Sequence, residues 1–527
     1  MSPTDISLPR WSIYAFILIS AVAAQAGRLA STRSPTGETP FYSANDRSRW
    51  CTIVSLVEFG TYEIDQITFR EDDRKRRHWN TIDMVRHRGA DGKQHYYSSK
   101  PPLLTTIYAG AYWVFHKLTG KKLSEEPHFV ARILMVFYNF IPLIGYWFML
   151  IWLIERTTLD PWARLFLVVA AVWAMYSSTF ASTINNHLPG IIVVMISLVA
   201  LIRIVVDKST QWRWPILCGV AAAFSVACEL PALAWWTIIP AVIFLSLKQI
   251  KPIVIYTIAS VPVFAAILIT TQLAHGDLKP PYMHRDHGEV IATIPRAGDT
   301  ETPDSSLSAL RDALLKKAEK PSEKLELRPA RQEKTFELFD TENQICWAVK
   351  AGEGTWEIRQ WDDWYDYPKT YWTVENKKGV DKGEPSYAVY AFNSLIGHRG
   401  IFSLTPIWLF ALSGVWLALK KQPEWRYIHL AAIIVSVVCV AFFLSRPLED
   451  RNYGGVCSGF RWVFWLAPLW MLFLPHGIEQ ISPSAWGRKL GLTALAISIF
   501  SATFPWNNPW TQPWLYQILE YWKWIGY

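Results

Sequence analysis

The sequence lacks the signatures of several common protein classes. It has no internal repeat and no GxGxxG, P-loop or HExxH motif, so nothing in it supports a nucleotide-binding domain or a zinc protease. Only 6 of its 527 residues are cysteine, with no CxxC pair and no metal-ligand spacing. We expect isolated buried thiols, with one disulfide among Cys51, Cys346 and Cys457 as the alternative. Charged residues are also scarce, at 18%.

The sequence is dominated by long apolar runs. The chain is 51% hydrophobic and contains 29 Trp, and most of its runs approach the roughly 20 residues that cross a bilayer core. The runs cover residues 11–27, 130–154, 162–181, 188–206, 215–234, 235–248, 253–273, 402–419, 428–445, 460–475 and 490–505. The predicted fold class is therefore an α-helical polytopic membrane protein with about eleven transmembrane helices.

Basic connectors predict the orientation of these spans. Lys and Arg cluster at 203–214, 247–251, 420–426 and 487–489, which share one face if the spans alternate, and basic loops favour the cytoplasm. The net charge of +8 is explained largely by such connectors, so we predict no nucleic-acid partner. The first run is interpreted as an uncleaved span, with a secretory signal as the alternative.

The opposite, external face receives the long polar segments. We predict an N-terminal membrane module over 1–273 that includes an external loop at 28–129, a soluble insert over 274–400, and C-terminal helices with a Trp-rich tail over 401–527. Within the first loop, residues 102–116 are short for a span and are interpreted as an interfacial or re-entrant helix.

The insert is predicted to be a small α+β or β-rich domain. An amphipathic helix is expected around 306–318, and alternating patterns predict strands at 334–340, 344–351 and 354–361. The stretch "WDDWYDYPKTYW" (361–372) interleaves aromatic and acidic residues. This composition suits a sugar-binding surface, and it equally suits aromatic side chains packed on the membrane or in the domain's own core.

Two polar residues of the external loop are candidates for chemistry. Ser43 and Asp46 have the spacing of a capping box at the start of a helix, so Asp46 is either a capping residue or a catalytic carboxylate. Lys100 precedes Pro101 and Pro102 at the start of an apolar helix. A lysine there binds either ordinary lipid headgroups or one particular lipid phosphate.

The order of several short motifs resembles a known superfamily. An acid just after the first span, "KPPL" before a helix, "AR" (131–132) opening the next span, "FSVACELPAL" (224–233) and "GFRWVFWLAPLWML" (459–472) follow one another in this chain. This order is similar to that of the GT-C membrane glycosyltransferases, in particular the protein mannosyltransferase-like and aminoarabinose transferase-like branch. The resemblance covers the membrane portion and not residues 274–400.

The resemblance implies roles for particular residues. Asp46 would be the catalytic base or would orient it, and Lys100, Arg49 and Arg461 would bind the donor phosphate. Arg461 is also interpretable as a boundary arginine.

The chain departs from the family at two acidic positions. Arg47 follows Asp46 where the family commonly has a second acid, and Asn185, Asn186 and His187 stand in place of an acid on the next external turn.

His187, Asn186 and Glu229 are therefore candidates for contact with substrate or metal. A polar turn residue facing water is the alternative for His187. Glu229 lies in an apolar run, so we expect it to be neutral, paired or facing a cavity. The cofactor stays unknown, with a divalent metal left open.

The activity implied by the resemblance is sugar transfer, with inversion, from a polyprenyl-phosphate donor to a lipid, glycan or protein acceptor. The sugar would be a hexose or a pentose. The expected location is the bacterial inner membrane among its lipids, with the site on the periplasmic, external face. A catalytically inactive GT-C scaffold and a polytopic transporter or lipid flippase are the alternatives.

Overall fold

The computed structural model describes residues 9–70, 78–296, 302–317 and 319–526. The protein is mostly helical, at 61%, with a small β-sheet region, so the predicted fold class is confirmed. The chain divides into two compact units. Unit one holds the residues up to Asp46, Lys121–Ala266 and the residues from Lys378 onward, and unit two holds Arg47–Gly120 and Ile267–Lys377. The division at 1–273, 274–400 and 401–527 stays a prediction.

The helices and strands follow in chain order. The α-helices are α1 (Arg10–Ser31), α2 (Ala44–Val54), α3 (Asp65–Thr68), α4 (Pro102–Thr119), α5 (Pro127–Met135), α6 (Ile141–Thr157), α7 (Pro161–Trp173), α8 (Tyr176–Thr179), α9 (His187–Val205), α10 (Arg213–Cys228), α11 (Leu233–Leu247), α12 (Lys251–His275), α13 (Leu307–Leu315), α14 (Tyr387–Leu395), α15 (Ile401–Leu404), α16 (Ile407–Lys421), α17 (Arg426–Leu444), α18 (Ala467–Trp470), α19 (Leu474–Ile481), α20 (Ala485–Thr503) and α21 (Trp514–Tyr521). The strands are β1 (Met84–Arg88), β2 (Gln94–Ser98), β3 (Val290–Pro295), β4 (Leu325–Pro329), β5 (Thr335–Asp340), β6 (Ile345–Ala351) and β7 (Thr355–Gln360).

Seven helical segments of the described chain are long and apolar enough to cross a membrane. The protein is thus a multi-pass membrane protein. The predicted count of about eleven spans stays a prediction. Four of the predicted runs are not among the seven segments: those of α10 and α16, whose helices have only 16 and 15 residues, and those at 460–475 and 490–505. The seven segments are Arg10–Ser31, Pro127–Thr157, Pro161–Ser182, His187–Val205, Leu230–Leu247, Lys251–His275 and Pro423–Leu444.

The apolar run at 460–475 does not form one continuous α-helix. Arg461–Leu466 is a 3-10 helix, α18 follows with four residues, and α19 begins only at Leu474. Pro468 and Pro475 lie in the first turns of α18 and α19, where the missing backbone N–H costs nothing. Hydropathy alone could not reveal this break, because the run stays apolar throughout.

Unit two contains two antiparallel sheets. Strands β1 and β2 form a hairpin in which Met84 pairs with Ser98, and the five other strands form a sheet in the order β3-β7-β6-β5-β4. The three strands predicted in the insert are confirmed as β5, β6 and β7, whereas β3 and β4 were not predicted. Helix α13 packs Leu310 and Leu314 against this sheet, and Ala318, at the end of the range predicted for it, lies outside the described residues.

The helix expected at 102–116 is present as α4, and its placement at the membrane surface stays a prediction. All six cysteines are buried thiols, in agreement with the expectation from sequence.

Helices α16 and α19 of unit one cross with their backbones in close contact. A β-carbon added at Gly477 would overlap the carbonyl oxygen of Phe410, and one added at Gly414 would overlap the carbonyl oxygen of Phe473. Backbone atoms cannot move aside as a flexible side chain can, so both positions require glycine.

We expect the substitution Gly477→Ala to destabilise the protein by about 1 to 3 kcal/mol, the usual cost of overpacking a closed interface. Gly145→Ala in α6 is the matched control, because nothing lies within 4 Å of a β-carbon there. Alanine should leave that helix unchanged or slightly more stable. Thermal unfolding of the two purified variants in one detergent compares them, and equal melting temperatures would contradict the close crossing.

Candidate active site

Asp46 of unit one closes the capping box predicted from sequence. Its Oδ1 accepts hydrogen bonds from the Ser43 backbone N–H at 2.7 Å and from the Ser43 hydroxyl at 3.0 Å, while Ser43 Oγ lies 3.4 Å from the Asp46 nitrogen. Its Oδ2 accepts from the Tyr42 backbone N–H at 2.8 Å and from the Thr183 hydroxyl at 3.1 Å. The side chain is 1% exposed. A carboxylate has about four lone-pair positions, so these four donors occupy them all.

Two asparagines hold Thr183 in place. Asn139 Nδ2 donates to the carbonyl oxygens of Phe180, Ala181 and Thr183, the last at 2.8 Å. Asn185 Nδ2 donates to the carbonyls of Phe180 and Thr183 at 2.9 and 2.7 Å. A carboxylate cannot donate hydrogen bonds to carbonyl oxygens, so the acid expected from the family could not make the two hydrogen bonds that Asn185 makes here.

His187, Asn186 and Glu229 come together as the sequence analysis grouped them. His187 Nδ1 lies 2.5 Å from Glu229 Oε1, and Asn186 Nδ2 donates to the same oxygen at 2.8 Å. His187 is 3% exposed and Glu229 is 6% exposed. Glu229 is therefore paired, which is one of the three alternatives expected from the sequence. A carboxylate held by an imidazole and an amide is a suitable partner for a polar substrate group.

Arg461 joins this region through an indole ring. Its guanidinium lies 4.8 Å from the ring centre of Trp510, and Trp510 Nε1 donates to Thr183 Oγ1 at 3.4 Å. The Thr183 hydroxyl in turn donates to Asp46. Trp510 also contacts Phe180 edge to face at 5.3 Å, and Phe180 contacts His187 at 5.7 Å.

Sequence analysis missed three residues of this cluster, namely Thr183, Trp510 and Asn139. Thr183 and Trp510 lie 327 positions apart. The density of tryptophan in the tail was a signal for Trp510, and the sequence held no comparable signal for Thr183.

Unit one has a small cavity beside the segment that contains Arg461, and a larger groove next to that cavity. A small cavity is lined by residues on both sides of Arg461, including Gly459 and Phe464, and by Tyr176, whose ring stacks on Phe464 at 4.5 Å. An almost wholly apolar groove of about 380 Å³ runs along α16 and α17. Both cavities are lined by Ile401, Trp408 and Trp470, so they adjoin each other.

The residues around Asp46 do not fit a divalent cation. Such a cation needs several carboxylate, carbonyl or imidazole ligands, whereas every oxygen position of Asp46 faces an N–H or O–H donor. His187 Nδ1 is directed to Glu229. Within the described ranges, no group of three or more His, Cys, Asp or Glu side chains is arranged to hold a metal ion.

The remaining candidates, Lys100 and Arg49, belong to unit two. Lys100 Nζ forms an ion pair with Asp83 Oδ2 at 2.9 Å, and its backbone N–H donates to Ser98 Oγ at 3.2 Å. Ser48 Oγ lies 2.6 Å from Ser98 Oγ and donates to the Asp83 carbonyl oxygen at 2.5 Å, which ties α2 to the β1–β2 hairpin. Arg49 is buried in the same helix, with 3% exposure.

No family model and no curated protein matches the chain. Solved structures do match it. The Archaeoglobus fulgidus oligosaccharyltransferase in complex with Zn and sulfate matches 94% of this chain at 10% identity with a TM-score of 0.49, and the chain spans 53% of that enzyme's length. The same archaeal enzyme with an inhibitory peptide and a dolichol-phosphate matches at 10% identity and a TM-score of 0.41, over 95% of this chain and 56% of that one.

A yeast enzyme matches over most of its length. The S. cerevisiae protein O-mannosyltransferase Pmt1-Pmt2 complex bound to the sugar donor is 10% identical with a TM-score of 0.47, over 99% of this chain and 93% of that one. The archaeal and yeast enzymes are members of the GT-C superfamily, which the sequence motifs also resemble. At this level of similarity, only the chain's own side chains identify its chemistry.

A buried histidine in unit two, His87, is expected to make the stability of the protein depend on pH. His87 lies parallel to Tyr97 at 4.0 Å and contacts Trp364 at 4.2 Å, and it is 5% exposed. Burial lowers the pKa of His87 from 6.5 to about 4. His87 is therefore neutral in the folded protein at pH 5, whereas in the unfolded chain it is mostly protonated at that pH.

Because the unfolded chain binds the extra proton, acidification from pH 7 to pH 5 should cost about 2 kcal/mol of stability through His87. The variant His87→Phe keeps a stacking ring and cannot titrate, so its loss of stability over this range should be smaller by that amount. Urea unfolding of the full-length protein at both pH values measures the difference. An identical pH dependence in wild type and variant would contradict a neutral buried His87.

Proposed function

We propose that the protein is an integral-membrane glycosyltransferase that moves a hexose or pentose from a polyprenyl-phosphate donor to an acceptor, with inversion, on the external face. One observation carries the proposal. In unit one, a buried carboxylate, Asp46, is linked through Thr183 and Trp510 to a cation, Arg461. The neighbours of Arg461 in the chain line a small cavity, and an apolar groove shares three lining residues with that cavity. Transfer from a lipid phosphate needs these three elements: a base, a cation and a place for the lipid.

The apolar groove suits the isoprenoid chain of the donor. Its walls come from α16 and α17, and side chains such as Leu412, Val437 and Val440 line it. An isoprenoid chain is wholly apolar, so it matches the apolar walls of the groove and needs no polar contact there. The dolichol-phosphate in the archaeal structure belongs to the same chemical class as this donor.

The donor phosphate is proposed to interact with Arg461 in unit one. A guanidinium offers a phosphate two parallel hydrogen bonds, which both bind it and stabilise the charge that develops as the sugar leaves. For unit two, considered by itself, Lys100 and Arg49 are proposed as phosphate ligands, as the resemblance implies. For Lys100 this requires the phosphate to displace Asp83, its partner in the ion pair.

Asp46 is proposed to accept the proton of the acceptor hydroxyl. Because donors occupy its lone pairs, the acceptor hydroxyl must first replace one of them. The hydroxyls of Thr183 and Ser43 are the most readily exchanged, since each can rotate towards another acceptor, whereas the backbone N–H groups of Tyr42 and Ser43 are fixed. The acceptor oxygen then attacks the sugar carbon while the bond to the phosphate breaks, which inverts the configuration.

The same geometry favours a second candidate function, a GT-C scaffold without catalysis. The four hydrogen bonds to Asp46 are those of a capping residue, and a carboxylate that never exchanges them cannot act as a base. Sugar release from a supplied donor separates the two functions.

The substitution Asp46→Asn should lower turnover by about 100- to 10,000-fold, the usual contribution of a positioned base. Protein in lipid nanodiscs is supplied with radiolabelled polyprenyl-phosphate sugars, and label released to water or transferred to lipid, glycan or peptide acceptors is counted. Donor binding to the variant is measured separately, because a base is not needed for binding.

Ser43→Ala is the matched control, because it weakens the same capping box and leaves the carboxylate in place. It should cost about 1 kcal/mol of stability and keep turnover within about tenfold of wild type. Equal losses of turnover in Ser43→Ala and Asp46→Asn would make Asp46 a capping residue only. Wild-type protein that binds donor and never releases label would favour the inactive scaffold.

A further inference from the structure

Unit two contains a polar cavity that the proposed transfer reaction does not use. Its volume is about 560 Å³, and it lies at one end of strands β3, β7 and β6, with further lining residues from the β1–β2 hairpin and the end of α12. Every residue that lines it belongs to unit two. The volume is large enough for a monosaccharide or a disaccharide.

The hydrogen bonds of two histidines that line this cavity leave one ring nitrogen as an acceptor without a partner among the described residues. His87 Nδ1 lies 3.1 Å from the carbonyl oxygen of Arg88, which can only accept, so this nitrogen carries the proton. His87 Nε2 is then an acceptor, and His275 Nδ1, 3.0 Å away, donates to it. The remaining nitrogen, His275 Nε2, holds a lone pair.

His275 lines the cavity and is 7% exposed, and among the described residues its Nε2 has no hydrogen-bond partner. A buried acceptor without a partner is costly, so a ligand hydroxyl is a suitable partner for it.

Trp361 supplies the complementary donor. It lines the same cavity, is 8% exposed, and its Nε1–H likewise has no partner within the described part of the chain. A hydroxyl can accept one hydrogen bond and donate another, so a ligand with several hydroxyls can satisfy both Trp361 Nε1–H and His275 Nε2. The aromatic ring of Trp361 also lines the cavity, and aromatic surface suits the C–H face of a pyranose ring.

The charges around the cavity restrict the ligand further. Four carboxylates line it, those of Asp277, Glu289, Glu319 and Asp362, against one cation, Arg88. Carboxylates accept hydrogen bonds from hydroxyl or ammonium groups and repel anions. A phosphate, a sulfate or a uronic acid is therefore disfavoured, and so is a lipid chain, because the lining is polar.

We propose that this cavity is a saccharide-binding site for a neutral or amine-bearing sugar, with His275 Nε2 accepting a hydrogen bond from a sugar hydroxyl and Trp361 Nε1–H donating one. The site binds sugar whether or not the protein catalyses glycosyl transfer, so the two proposals fail separately.

Saturation-transfer NMR on the full-length protein in detergent tests the site with three soluble probes: methyl α-D-glucopyranoside, D-glucosamine and D-glucuronate. The first two are expected to bind and the third is not. His275→Phe and Trp361→Phe keep an aromatic ring and remove one hydrogen-bonding group each, so each should weaken binding about tenfold.

Trp356→Phe is the matched control. Trp356 lies in β7 and is fully buried, and it is not among the residues that line the cavity. It should bind the probes as wild type does, and thermal unfolding checks that all three variants are folded. The proposal is overturned if neither neutral nor amino sugar binds, if glucuronate binds equally well, or if folded His275→Phe and Trp361→Phe bind like Trp356→Phe.

Discussion

The site in unit one depends on the hydrogen bonds made by a single buried carboxylate. Asp46 joins the start of α2 to the turn before α9, because the same two oxygens accept from Tyr42 and Ser43 on one side and from Thr183 on the other. Each hydrogen bond to a charged group is worth about 1.5 to 3 kcal/mol, and a buried carboxylate without them would be unstable. Thr183 then fixes Trp510, and Trp510 fixes Arg461, so the position of the cation depends on the anion.

Other buried polar side chains in unit one are also held by hydrogen bonds. Asn139 and Asn185 satisfy the carbonyl oxygens of an irregular turn, and Glu229 is held by His187 and Asn186. Apolar surroundings make an unpaired polar group expensive, so these side chains are fixed in one arrangement. Fixed polar groups of this kind form the preorganised environment that transfer from a lipid phosphate requires.

Local signals in the sequence predicted local structure well. The Ser43–Asp46 spacing predicted the capping box, and the alternating residues at 334–340, 344–351 and 354–361 predicted three strands. The contact between Thr183 and Trp510 could not be predicted, because it joins residues 327 positions apart through tertiary packing. The break in the run at 460–475 was missed for another reason, since hydropathy does not register the two prolines that lie in the first turns of α18 and α19.

The central claim is that unit one binds a polyprenyl-phosphate donor with its lipid chain in the groove between α16 and α17. Photo-crosslinking with a polyprenyl phosphate that carries a diazirine in its isoprenoid chain tests it most directly, with peptide mapping by mass spectrometry. The account predicts crosslinks in Ile407–Lys421 and Arg426–Leu444 that excess unlabelled polyprenyl phosphate abolishes. Crosslinks of equal strength in Lys251–His275, unaffected by the competitor, would mean general contact with lipid and would contradict the account.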